Sequence, residues 1–243
     1  MSIFDKKTNR MESFKARYHK PKKHRETPDK YINFDNAVQC ASNIDFDTRT
    51  ICFTPGTFIF GELPEAICYR YNLSVSEMYI STLSLSVYNI QSLKNLMNYE
   101  LVEDRYVHNL TLITSDFHYR KHPDLYNHAV NELDLNNSFQ LCVCAQHTKI
   151  VLMKTDCGKF ICIYGSANLE SSDCLELFTI ENNESLFNFL KEQLFDTIIS
   201  KYHTIDKSKI GTKEDAEFRD AAKKLRGKPL WEDNFRNTKY HSK

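Results

Sequence analysis

The chain has 243 residues, 41% of them hydrophobic, with 32 Lys and Arg balanced by 32 Asp and Glu, enough to bury one substantial core. No run of about 18 apolar residues occurs and the Lys-rich start carries no hydrophobic segment, so a membrane span and a secretory signal are not expected and a cytoplasmic location is. The eight cysteines are scattered through strand-like segments (Cys52, Cys142, Cys144, Cys162) and read as reduced core thiols. Cys142 and Cys144 have no CxxC companion, so neither a disulfide framework nor a metal site is expected.

The zero net charge hides a segregation. Residues 1–30 hold ten Lys and Arg against four Asp and Glu, and residues 207–243 hold eleven against six, which leaves the middle of the chain acidic by 11. KARYHKPKKHRE has the composition of a solvated arm, and such arms contact nucleic-acid phosphates. The expected organisation is a disordered basic arm over 1–30, an α/β domain over 31–206 and a helical basic tail over 207–243.

Past the arm and a stretch (31–74) whose role the residues leave open, VSEMYISTLSLS (75–86) predicts a strand, with Ser86 placed to cap a helix that carries Ile90, Leu93, Leu96 and Met97 at helical spacing. YVHNLTLIT (106–114) predicts a second strand. PDLYNHAVNEL (123–133) predicts a helix with Pro123 at its first position and Leu125, Ala129 and Leu133 on one stripe. SFQLCVCA, HTKIVLMKT and KFICIY are apolar on both faces, as strands covered by helices on each side must be. CLELFTI (174–180) adds a strand. Leu186, Leu190, Leu194 and Ile198 then mark one face of a helix over 182–202, and KEDAEFRDAAKKLR predicts a last helix ending at Gly227. The fold class is α/β, with a mixed central sheet flanked by helices on both faces.

HTKIVLMKTDCGKFICIYGSAN (147–168) reads as a hairpin about Asp156-Cys157-Gly158. With Gly158 left-handed, Thr155 pairs with Lys159, Lys149 faces Gly165 and His147 faces Ala167. His147 and Lys149 are two apart, so they leave one face of the strand. An imidazole, an ammonium, a hydroxyl (Ser166), a carboxamide (Asn168) and a side-chain-free Gly165 therefore converge. That set suits a phosphate: Lys149 supplies charge, Ser166 and Asn168 supply donors, Gly165 lets backbone come close, and His147 is left for chemistry. Glu176 interrupts the apolar CLELFTI and would be costly there without a partner, which makes it the candidate carboxylate to orient His147, with Asp173 in reserve.

His147-x-Lys149 followed by Gly165-Ser166-x-Asn168 resembles the signature of the phospholipase D superfamily, and the flanking TLSLSVYNIQSLKNL and LTLITSDFHYRKHPDLY resemble the strand-helix units of compact single-copy members. The usual Asp of that signature is replaced by Lys154, with Asp156 two positions on in the turn. The resemblance implies a phospholipase D-like half-unit and metal-free, cofactor-free phosphodiester cleavage in two steps. His147 would attack phosphorus, Lys149, Ser166 and Asn168 would hold the nonbridging oxygens, and a second histidine would protonate the leaving oxygen. No other H-x-K leads into a G-S-x-N: His19 and His24 lie in the basic arm, His118, His122 and His128 around a loop and helix, and His241 near the end, so the resemblance also implies a twofold homodimer that pairs two His147 side chains.

A nuclease acting on nucleic acid is the expected activity, since the basic ends could hold a polyanion. The alternatives are a non-catalytic nucleic-acid-binding protein that keeps the fold and a lipid head-group phosphodiesterase. Phe58, Phe60 and Trp231 are aromatic side chains that could stack on bases.

Overall fold

The computed structural model describes residues 29–33, 36–54, 59–97, 106–134, 137–170, 174–201 and 203–205. The arm up to residue 28, the Pro55-Gly56 turn, Phe58, Asp173, the tail beyond 205 with its expected helix and Trp231, and His19, His24 and His241 lie outside the described residues.

Among the described residues nine strands form one mixed sheet in the order β1-β2-β8-β7-β6-β3-β4-β5-β9. In chain order these are β1 (Asp29–Asn33), β2 (Arg49–Thr54), β3 (Val75–Thr82), β4 (Leu110–Ser115), β5 (Phe139–Cys144), β6 (Ile150–Thr155), β7 (Phe160–Gly165), β8 (Glu176–Asn182) and β9 (His203–Ile205). The helices are α1 (Ala37–Ser42), α2 (Leu63–Tyr71), α3 (Val87–Met97), α4 (Asp116–Lys121), α5 (Pro123–Leu133), α6 (Glu184–Leu190) and α7 (Thr197–Lys201). Parallel pairing joins β3, β4 and β5. Antiparallel pairing carries the sheet on through β6, β7 and β8 to β2.

Both faces are covered, as the apolar central strands require. On one face, side chains of α1, α2, α3 and α5 pack with Met78, Ile80, Val151, Met153 and Ile163. On the other, Phe187, Phe195 and Ile198 close over Tyr79, Ile113, Leu152 and Cys162. Residues therefore alternate between two cores along β6 rather than between core and water. Six of the eight cysteines are buried and all eight are free thiols. Among the described residues no helix is long and apolar enough to cross a membrane.

The hairpin follows its turn chemistry. Thr155 N–H donates to Lys159 O at 2.9 Å, Gly158 sits at φ 81°, where only a residue without Cβ is unstrained, and the ladder pairs Lys154 with Phe160 and Ile150 with Tyr164. The helix over Pro123–Leu133 has the expected bounds, and Ser86 does cap α3, its Oγ accepting from Asn89 N–H at 3.4 Å.

Three expectations are corrected. The strand expected from 106 begins at Leu110, because Val107 N–H donates to Leu96 O at 3.0 Å and draws the chain toward α3. The strand expected over 75–86 ends at Thr82. The helix expected over 182–202 is split by a π-helical stretch, Lys191–Asp196, between α6 and α7. There Phe187, Phe195 and Ile198 are the buried face, while Leu186, Leu190 and Leu194 are only partly covered at its flank. The stretch 31–74, unassigned from sequence, supplies β1, α1, β2 and α2, with β2 pairing antiparallel to β8.

Candidate active site

The parallel strands β3, β4 and β5 end where antiparallel β6 begins and β7 ends, so one edge of the sheet gathers the loops after Thr82, Ser115, Cys144 and Gly165. His147 and Lys149 lie on the extended lead-in to β6 rather than inside it, since the strand begins at Ile150. His147 is exposed. Lys149 is only 9% exposed, and its Nζ donates to His147 Nδ1 at 2.9 Å and to His147 O at 3.0 Å. Burial pulls the Lys149 ammonium below its ordinary pKa of 10.5, and the negative charge of Glu176 opposes that shift.

The returning strand meets this pair in the expected register, Gly165 N–H donating to Lys149 O at 3.3 Å. The structure gives Gly165 a reason that the sequence did not. A Cβ there would collide with the Leu177 carbonyl and with Phe178 on β8, so the missing side chain is what lets β8 close against the motif. That closeness puts Glu176 beside Ser166. The Ser166 hydroxyl donates to Glu176 Oε2, and Leu177 N–H donates to Ser166 Oγ at 3.0 Å. The carboxylate expected to orient His147 thus has Ser166 as its hydrogen-bond partner and acts electrostatically on Lys149.

Asn168 is tied to the neighbouring strand end, its Oδ1 accepting from Leu83 N–H at 3.2 Å. With that oxygen committed, the carboxamide offers its NH2 end as donor. The next residue fixes the loop from beneath: Leu169 N–H donates to Thr82 Oγ1 at 3.1 Å, while Leu169 O accepts from Gly61 N–H at 3.0 Å and Asn89 Nδ2 at 3.1 Å.

Sequence reasoning missed Gln146. Its Oε1 accepts from Thr148 N–H at 2.7 Å and Thr148 Oγ1 at 2.8 Å, and its Nε2 donates to Thr82 O at 2.6 Å. Ser81 Oγ reaches both Thr148 Oγ1 at 2.6 Å and Gln146 Oε1 at 3.2 Å. The residues on either side of His147 are thereby fastened to the end of β3. A polar residue just ahead of the motif was the one available signal.

The turn does not return an acid to this site. Asp156 lies at the opposite end of the hairpin, accepting from the Ser74 hydroxyl, 3.8 Å from His108 Nε2. Ser74 Oγ touches that same nitrogen at 3.1 Å, so the carboxylate does not orient the imidazole from its far side as a hydrolase triad needs. Lys154, where the motif's Asp would stand, pairs across strands with Glu77 at 3.1 Å, and Glu77 also accepts from Tyr79 OH at 2.5 Å. Phe60 is 3% exposed and packs edge-on against Phe178, ring centroids 5.0 Å apart, which removes it as a base-stacking residue.

Three other histidines are engaged elsewhere. His118 is buried, with Nδ1 2.6 Å from Tyr126 OH and Nε2 3.9 Å from Glu170. His122 stacks on it at 4.7 Å, and burial pushes the His118 pKa down. His128 lies on α5, 4.0 Å from Glu132.

No family model matches the chain, and no curated protein matches its sequence. Among solved structures it is similar to a phospholipase D family member, Nuc from Salmonella typhimurium, at a TM-score of 0.44 and 13% identity, over 65% of this chain and 98% of that one.

Proposed function

We propose that this chain is a phosphodiesterase, with nucleic acid as its substrate, which works through a phosphohistidine on His147 and needs no metal. The observation that carries the reading is the convergence on one buried ammonium. Lys149 touches the His147 ring at 2.9 Å, feels Glu176, and lies across the ladder from the Gly165–Ser166 segment that holds that carboxylate. A buried cation beside an exposed imidazole, with the Asn168 carboxamide NH2 as a neutral donor, is built for a tetrahedral oxyanion, and Ser166 joins it on giving up its bond to Glu176.

An ammonium donating to Nδ1 leaves the imidazole proton on Nε2, where no lone pair is then available for attack. A substrate phosphate that takes up the Lys149 charge releases Nδ1 to carry the proton and donate it toward Glu176. Nε2 then attacks phosphorus, forming the P–N bond as the P–O bond to the leaving group breaks. The leaving oxygen takes a proton from a second imidazolium. In the second step that imidazole accepts a proton from water, whose oxygen attacks phosphorus and breaks the P–N bond.

The second imidazole is His147 of another copy, brought to a twofold axis. His118 is committed to Tyr126, His122 packs against His118, His108 lies at the opposite end of the sheet and His128 lies beside Glu132 on α5.

The first test is His147→Ala. Hydrolysis of a generic phosphodiester and of single-stranded DNA should fall by at least about a thousandfold, as loss of a covalent nucleophile does, while nucleic-acid binding persists. Labelled phosphohistidine should be trapped with the parent protein only. Unchanged hydrolysis, or a parent protein that binds DNA and cleaves no diester, would replace the enzyme with a binding protein. Activity abolished by EDTA would replace the histidine mechanism with a metal one.

A further inference from the structure

Phe117 is the second residue of α4 and is 53% exposed. It shares with His147 an open depression of about 550 Å³, whose wall also includes Ser115, Asp116 and Gln146. A single exposed aromatic is ordinary on a protein surface; what sets this ring apart is that it shares the depression with His147 and has a cation at its face. The helix that carries it is firmly held. Ser115 Oγ accepts from His118 N–H at 3.0 Å and donates to Leu83 O at 2.9 Å, Tyr119 is fully buried, and Arg120 pairs with Asp116 at 3.1 Å. Lys121 holds its Nζ 3.9 Å from the centroid of the Phe117 ring.

We propose that Phe117 is the stacking platform for a base of a single-stranded polynucleotide whose phosphate lies at His147, with Lys121 serving the neighbouring phosphate. The inference rests on the phosphodiesterase reading for the position of that phosphate and goes beyond it in naming the residue that receives a base and the single-stranded form of the polynucleotide. Every base has a π-face, so an aromatic ring on a fixed support, next to a cation, selects stacked bases joined by phosphates without reading their sequence. The base must be out of a duplex for its face to reach the ring. Around Phe117 the depression presents Ser115, Asp116 and Gln146 along with Leu83 and Ala145, and Lys121 places a cation at the ring, so an anion joined to a flat apolar group is the ligand this wall fits.

The experiment uses full-length protein carrying His147→Ala, which separates binding from cleavage. It is titrated with a single-stranded oligonucleotide containing 2-aminopurine and with the same oligonucleotide made abasic at that position. The base-containing strand should bind about tenfold more tightly and its fluorescence should be quenched. Adding Phe117→Ala should abolish both the difference and the quenching, Phe117→Trp should keep them, and Tyr69→Ala, an exposed ring elsewhere, should not alter them. The proposal is overturned if Phe117→Ala leaves the difference intact, if no oligonucleotide binds, or if Phe117 instead governs binding to phosphatidylglycerol vesicles. Failure of the parent protein to cleave any diester would sink the catalytic reading alone, because the stacking is read on a variant that does not cleave.

Discussion

Lys149 carries the most information of any single residue in this chain. A lysine that must bind an anion is useful only while charged, and burial has moved its titration downward from 10.5. Activity should therefore decline with rising pH below the ordinary lysine range, as the folded protein loses that proton. Glu176 supports the charged form, so Glu176→Gln should carry the alkaline limb of kcat/KM to still lower pH. Lys149→Arg, which stays protonated, should carry it upward. A limb unmoved by either substitution would show that Lys149 does not supply the working charge. Glu77 behaves in the opposite sense. The Tyr79 hydroxyl, and then Lys154, hold its carboxyl below the usual 4.5. Its stabilising contribution is present above that value and lost as the pH falls through the lower folded one. Glu77→Gln should thus cost stability in urea melts at about pH 7, and the gap to the parent protein should narrow as the pH falls below 4.5. The Glu77 environment was not legible in the sequence, because Lys154 and Glu77 are 77 positions apart and only the pairing of β3 with β6 brings them together.

At the level of elements, the hairpin was legible almost to the residue, since Asp-Cys-Gly dictates a turn and the turn fixes the register of both arms. Its fastening was not. Gln146 and Thr82 are 64 positions apart, and nothing in the periodicity of either segment announces that the end of β3 clamps the residues around His147. Gln146→Ala should leave the melting temperature within a few degrees of the parent, because the residue is only half-buried. It should lower kcat by about tenfold to a hundredfold through a misplaced imidazole, and Gln146→Glu, which keeps an acceptor for Thr148, should recover part of the loss. Equal activity of all three proteins would make the clamp merely structural. The 184–201 segment teaches the same point: helical spacing marked a buried stripe, but Phe187, Phe195 and Ile198 fill it while Leu186, Leu190 and Leu194 lie at its flank.

For the whole molecule the decisive feature is that one chain offers one His147–Lys149 pair. If two copies share a site, a mixed dimer of parent and His147→Ala subunits has lost either its nucleophile or its proton donor. Activity after subunit exchange should then follow the square of the parent fraction, about a quarter at equal mixing, rather than the one half expected of independent sites. A linear response would place a complete site in each chain.

The sequence by itself determined the alternation of strands and helices, the two-sided burial of the central strands, and the meeting of H-x-K with G-S-x-N. Each of these is written within a few adjacent residues, by periodicity or by turn chemistry. Only the tertiary structure decided that Gly165 makes room for β8, that Glu176 rests on Ser166, that Lys154 answers Glu77, and that Phe117 faces the depression beside His147. Those facts depend on which strands become neighbours in the sheet. That order is set by the burial of two cores at once, a property no local stretch of sequence contains.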